Sequence, residues 1–130
     1  MIVVDSSVWI SFFADAATPQ VDALTSISDR TQILVGDVVL LEVLRGAQSE
    51  RKARLIEEDL CRFDVARMLD ADIAALAARN YRKLRAEGVT IRSSVDLIIG
   101  TYCIAHNHQL LHRDRDFVHM QRFGLRFYTG

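Results

Sequence analysis

The chain has 130 residues, half of them hydrophobic, with a formal net charge of -1 and two cysteines. That length suits one domain, residues 1–130, built on one core, and the apolar share excludes a disordered chain. The near-neutral charge excludes a globally basic nucleic-acid binder, and no apolar run approaches the ~20 residues that span a bilayer.

The start lacks the basic region and long apolar stretch of a signal peptide, so the expected location is cytoplasmic. Cys61 and Cys103 have no paired spacing, and both lie near apolar residues. Buried, reduced thiols are the expectation. Lys52 and Lys83 are the only lysines among the 16 cations. The rest are Arg, which suits bidentate phosphate contacts but is equally explained by genome base composition.

In chain order, "IVV" (2–4) reads as a buried strand, and Ser6 or Ser7 can cap a helix through "VWISFFAD". Pro19 marks a loop before the helical segment "QVDALTSIS". "QILVG" is a strand, and Asp37 can cap the helix "VVLLEVLRG", which Gly46 stops. "SERKARLIEEDL" is an amphipathic helix and "CRFDVA" alternates as a short strand. From Asp70 to Glu87 a long helix carries Ile73, Leu76, Ala77, Tyr81 and Leu84 at helical spacing, and Gly88 ends it. "SSVDLIIGTYCIAHN" is a helix capped by Ser93 or Ser94. "QLLH" is a strand, "DFVHMQRF" a short helix and "LRFYT" a last strand. Strands interleaved with helices predict a three-layer α/β/α sandwich on a mostly parallel sheet.

Four acids stand in apolar surroundings. Asp5 follows the first strand and Asp114 follows "QLLH". Glu42 is the one charge inside its helix body, with Val38, Val39, Arg45 and Gly46 as helical neighbours. Asp96 is the single charge of its helix. Each has a structural explanation alone: Asp5 and Asp114 as caps, Asp96 in a capping box with Ser93, Glu42 paired with Arg45. All four, however, fall at strand ends or helix starts, which meet at one edge of a parallel sheet, where ligands gather. Clustered carboxylates raise one another's pKa values, and a divalent cation offsets that repulsion. Mg²⁺ or Mn²⁺ favours such oxygen ligands together with waters and phosphate oxygens. The chemistry that uses this arrangement is phosphodiester hydrolysis by an activated water.

The stretches "VVDSSVWI", "LLEVLRG" and "SVDLIIGTYCIAHNHQLLHRDRDF", with a terminal short strand, resemble the PIN (PilT N-terminal) domain ribonucleases over essentially the whole chain. Within them the sequence is most similar to VapC-type toxins of bacterial toxin–antitoxin pairs. The resemblance implies Mg²⁺- or Mn²⁺-dependent RNA cleavage, a homodimer, and neutralisation by a small VapB-type antitoxin. It carries the catalytic acids over as Asp5, Glu42, Asp96 and Asp114. Ser7 matches a small polar position two after the first acid, and Asp116 a further acid before Phe117. His112 departs from the Thr or Ser common at its place.

On this reading Asp5 and Asp96 bind the metal, and Asp114 does so directly or through water. Glu42 completes the site, orienting the attacking water or accepting its proton. Ser7 supports the site by hydrogen bonding, with Asp116 beside it, and Arg92, Arg113 and Arg115 hold the RNA backbone. The stripe Arg79, Arg82, Lys83 and Arg85 reads as a solvated face or a phosphate track. "HNH" (106–108) sits at a helix end and does not require a metal role. Trp9, Ile10, Phe12 and Phe13 read as mostly core, with any exposed part offering a groove for an antitoxin helix or a dimer contact.

Three other readings stay open. A phospho-receiver domain would need paired acids at the first strand and a late Lys, and the chain has neither. A catalytically dead Mg²⁺-binding module of the same fold and an RNA-processing PIN nuclease without an antitoxin both fit the same residues.

Overall fold

The apolar triplet Ile2–Val4 forms strand β1 at the centre of a five-stranded sheet in a computed structural model that describes residues 1–130. The other strands are β2 (Ile33–Gly36), β3 (Asp64–Ala66), β4 (Gln109–Leu111) and β5 (Arg126–Phe127), in the order β3-β2-β1-β4-β5. Every neighbouring pair is parallel, with Ile2 opposite both Ile33 and Gln109, and Val4 opposite Leu111. Strands covered on both faces are apolar throughout rather than alternating. Accordingly β1 and β2 are buried at every position.

Six α-helices connect the strands: α1 (Ser6–Phe13), α2 (Pro19–Thr25), α3 (Asp37–Arg45), α4 (Glu50–Leu60), α5 (Ala71–Ala86) and α6 (Ser94–His106). Two 3-10 helices, Arg30–Gln32 and Arg115–Phe123, precede β2 and β5. The path β1→β2→β3 moves one way across the sheet, and β3→β4→β5 moves back the other way. Right-handed crossovers therefore put α1 to α4 on one face and α5, α6 and the second 3-10 helix on the other. The packing agrees: α1 lies against α2 and α3, α3 against α4, and α6 against α5 and the 3-10 helix. Val3, Val4, Val35, Val39, Ile99, Leu110 and Phe117 fill the core between the layers. Gly100 in α6 lets the 3-10 helix approach, since a Cβ there would collide with the Met120 sulfur.

Several local expectations change. Asp5, not Ser6 or Ser7, caps α1, accepting from the Ser7 amide at 3.2 Å. Gly36 occupies the cap position of α3, and Asp37 lies one residue inside it. The Asp37 carboxylate instead accepts from the Val38 amide at 2.8 Å and the Met68 amide at 3.1 Å, tying the chain after β3 to the helix. Ser93 caps α6. The segment after Asp114 is 3-10 rather than α, and the last strand keeps only two residues. Cys103 is buried but Cys61 is exposed, because it lies in the turn where α4 ends and the chain reverses toward β3.

Candidate active site

The reversal of strand order at β1 and β4 makes the switch point at which parallel sheets bind ligands, beyond the carboxyl ends of the strands. Asp5 follows β1 and Asp114 follows β4. Glu42 reaches this edge from the middle of α3, and Asp96 from the first turn of α6. Carboxylate oxygens of Asp5, Glu42 and Asp96 all lie within 4.8 Å of one another. Asp5 is only 2% exposed and Asp96 only 7%.

A desolvated ionised carboxylate requires compensation. Asp5 Oδ2 has it, accepting from both the amide and the hydroxyl of Ser7. Glu42 accepts from the Ser6 hydroxyl at 2.7 Å. Asp5 Oδ1 is buried with no hydrogen-bond partner. The starts of α1 and α6 add positive dipole ends, which partly offset the negative charge.

The balance still favours protons. Burial pushes the Asp5 carboxyl up, Ser7 pulls it back, and Glu42 pushes it further. Burial, then the neighbouring Asp114, Asp5 and Glu42 carboxyls, push Asp96 up to about 8. Asp114 moves the opposite way. The Asp116 amide holds it below the usual carboxylate range against burial, helped by Asp96 and by Arg92. A group of hard oxygen donors, one of them unpartnered and two of them avid for a positive charge, fits a hard divalent cation.

The four expected acids therefore divide. Asp5, Glu42 and Asp96 converge, which puts Glu42 inside the tight group and leaves Asp114 at its margin, against Asp96. Asp114 also caps the 3-10 helix, accepting from the Asp116 amide at 2.9 Å. Asp116 accepts from the Arg92 amide at 3.3 Å and lies 3.9 Å from its guanidinium. Glu42 turns to Ser6 rather than to Arg45.

Beside the acids lies an open cleft of about 660 Å³. Ser7, Arg92, Arg113, Arg115 and His119 line it together with Asp114 and Asp116. Arg113 is anchored by donating to the Ser11 hydroxyl at 2.8 Å, and that hydroxyl donates in turn to the Ser7 carbonyl at 3.0 Å. Sequence reasoning missed Ser6, Ser11 and His119. Ser11 follows Ser7 by one helical turn and is the one polar residue from Val8 to Phe13, a spacing that could have flagged it. The Arg79, Arg82, Lys83 and Arg85 side chains are exposed on α5. His106 and His108 lie before β4, at the opposite edge of the sheet from the acids.

The other face of α1 differs. Trp9 is buried, but Ile10 is 48% exposed, and Phe12 and Phe13 are only partly covered. With Leu24, Arg30 and Phe63 the aromatic residues line an apolar trough of about 370 Å³. Trp9 stacks on Phe13 at 5.9 Å and packs on Phe63 at 5.5 Å, and its buried indole N–H has no partner.

A family model described as the PIN domain matches residues 2–122. A VapC ribonuclease of Mycobacterium bovis is 29% identical over 119 residues, covering 90% of this chain and 89% of that protein. Ribonuclease VapC11 of Mycobacterium tuberculosis matches with the same identity and coverage. Among solved structures, VapBC2 of Rickettsia felis, bound to a DNA fragment from its promoter, superposes with a TM-score of 0.76 at 17% identity, over 98% of this chain and 97% of the other. VapBC-1 of nontypeable Haemophilus influenzae gives 0.75 at 17% identity over 100% of both chains. The parallel three-layer architecture of this chain is the fold of those structures.

Proposed function

Because the chain belongs to the PIN domain family, we propose that it is a metal-dependent endoribonuclease acting as the toxin of a type II toxin–antitoxin pair. The observation that carries this reading is the trio of buried Asp5 and Asp96 with half-buried Glu42, Asp5 Oδ1 being unpartnered. The family match and the VapC names of the relatives support the same activity.

Asp5 and Asp96 would hold Mg²⁺ or Mn²⁺, with Asp114 reaching it directly or through water. When bound, the cation supplies Lewis acidity, making a water acidic and neutralising charge on the phosphodiester. Glu42, oriented by the Ser6 hydroxyl, accepts the proton of the attacking water. Ser7 fixes the Asp5 carboxylate so that Oδ1 faces the site. Arg92, Arg113 and Arg115 grip phosphates of the RNA along the cleft, and Asp116 holds Arg92 and the loop before α6 in place. The water oxygen adds to phosphorus as the bond to the ribose oxygen breaks, and that oxygen leaves with a proton from solvent.

The partner is a small VapB-type antitoxin, whose amphipathic helix would seat its apolar face in the aromatic trough beside α1. A homodimer of single-domain chains in the cytoplasm completes the proposal.

The test is cleavage of a cellular RNA pool by purified, antitoxin-free protein with Mg²⁺, Mn²⁺ or EDTA, beside Asp96→Asn prepared identically. Cleavage that needs metal and disappears in the variant is the expected result. Equal cleavage by parent and variant would sink the mechanism.

A further inference from the structure

His112 follows β4 directly and precedes Asp114 by two residues. Its ring is wedged between Phe127, edge-on at 4.2 Å, and Phe117 at 5.1 Å. So held, its Nδ1 accepts the backbone N–H of Asp114 at 3.2 Å. An imidazole nitrogen that accepts carries no proton, so the ring's proton belongs on Nε2. At its other end Asp114 is fixed by its own carboxylate, where Oδ1 accepts the Asp116 amide at 2.9 Å. Asp114 is thus clamped from both sides, by an imidazole on its amide and by the 3-10 helix on its carboxylate.

We infer that His112 is a positioning residue for Asp114: its Nδ1 fixes the Asp114 backbone so that the free carboxylate oxygen is presented to Asp96 and the cation. The ring makes no hydrogen bond to Asp5, Glu42 or Asp96 or to the arginines of the cleft, only to the Asp114 backbone. Its effect passes through the one hydrogen bond. Groups that orient metal-binding carboxylates in this way commonly carry about tenfold or more of metal affinity. The inference rests on the nuclease reading only for the use to which Asp114 is put.

Two substitutions separate the acceptor from the packing. His112→Asn removes the aromatic ring but keeps an acceptor, the Oδ1 bonded to Cγ, in the place of Nδ1. His112→Leu fills the apolar space between Phe117 and Phe127 but offers no acceptor. A role in packing alone makes Leu the milder change, and the positioning role makes Asn the milder one.

Imidazole nitrogen shifts and Asp114 amide exchange would be recorded by NMR on the metal-free protein. Mn²⁺ affinity would be measured by calorimetry on the parent and both variants. The expected results are the Nε2–H tautomer, a protected Asp114 amide that loses protection in Leu, about tenfold weaker Mn²⁺ binding in Leu, and a loss within about threefold in Asn. An Nδ1–H tautomer, or an affinity loss in Asn equal to or larger than that in Leu, would overturn the inference. A parent protein that bound no Mn²⁺ would instead overturn the nuclease reading, and the tautomer and amide protection would still decide whether His112 holds that backbone.

Discussion

Helix α1 presents two unlike faces, and each lacks something. One face begins at the Asp5 cap and continues through Ser6, Ser7 and Ser11, which bond to Glu42, Asp5, the Ser7 carbonyl and Arg113. It gathers negative charge out of water. The other carries Trp9, Phe12 and Phe13 into a trough that leaves aromatic surface partly open. The first face is short of a cation and the second of an apolar partner. Electrostatic need depends on pH and salt, whereas apolar need is proportional to area and nearly blind to both. The two faces should therefore separate under mutation even though they share one helix.

The largest separation is expected from Asp5→Asn. Losing a charge that holds the cation should cut RNA cleavage by about 10³-fold or more, with the circular dichroism spectrum unchanged and antitoxin binding retained. Phe13→Ala should do the reverse. A truncated aromatic anchor in a recessed groove weakens partner binding by about 30-fold, readable by calorimetry against the cognate antitoxin, while cleavage by the free protein stays within about twofold of the parent. A Phe13→Ala protein that lost cleavage to the same degree would join the two faces into one site.

Acidity sharpens the contrast further. The Asp96 pKa in the fold is raised to about 8, above its unfolded value of about 4. The stability contributed by its proton is fully present below the unfolded value and is lost as pH rises through the folded one. The metal-free protein should therefore melt lower at about pH 9 than at about pH 6, by about 4 °C. Asp96→Asn should flatten that slope and raise the melting temperature at the alkaline end. Saturating Mg²⁺ should flatten it too, by replacing the proton. The smallest effect belongs to the cleft. Arg92→Ala or Arg115→Ala should raise KM about threefold and lower the salt slope by about one, with little change in kcat.

Much of this was legible in the sequence. Runs such as "IVV" and "QILVG" are apolar without alternation, the signature of strands covered on both faces, and the interleaved helices specified the parallel sandwich. The four acids stood out because ionised groups are rare among such neighbours. What stayed hidden was distance. Sequence order does not distinguish Glu42, which arrives from the middle of α3 and enters the trio, from Asp114, which lies three residues beyond the end of β4 yet stays at the margin. In the fold the 3-10 turn claims one Asp114 oxygen, whereas Glu42 is held toward the trio by the Ser6 hydroxyl. Asp37 looks like a cap in the sequence, but a longer-range bond to Met68 draws it one residue into the helix. Cys61 has apolar neighbours in sequence and solvent in space, because a helix end exposes what the helix body would cover. The aromatic residues of α1 read as core since nothing local marks where the neighbouring layer stops.

The most direct test of the central claim is where Mn²⁺ binds. Crystals of the antitoxin-free protein grown with saturating Mn²⁺ would be measured at a wavelength where manganese scatters anomalously. An anomalous peak in contact with Asp5 Oδ1 and an Asp96 oxygen, with Glu42 at its rim, is the predicted result. An ordered site showing no peak there, or a peak elsewhere on the molecule, would contradict it.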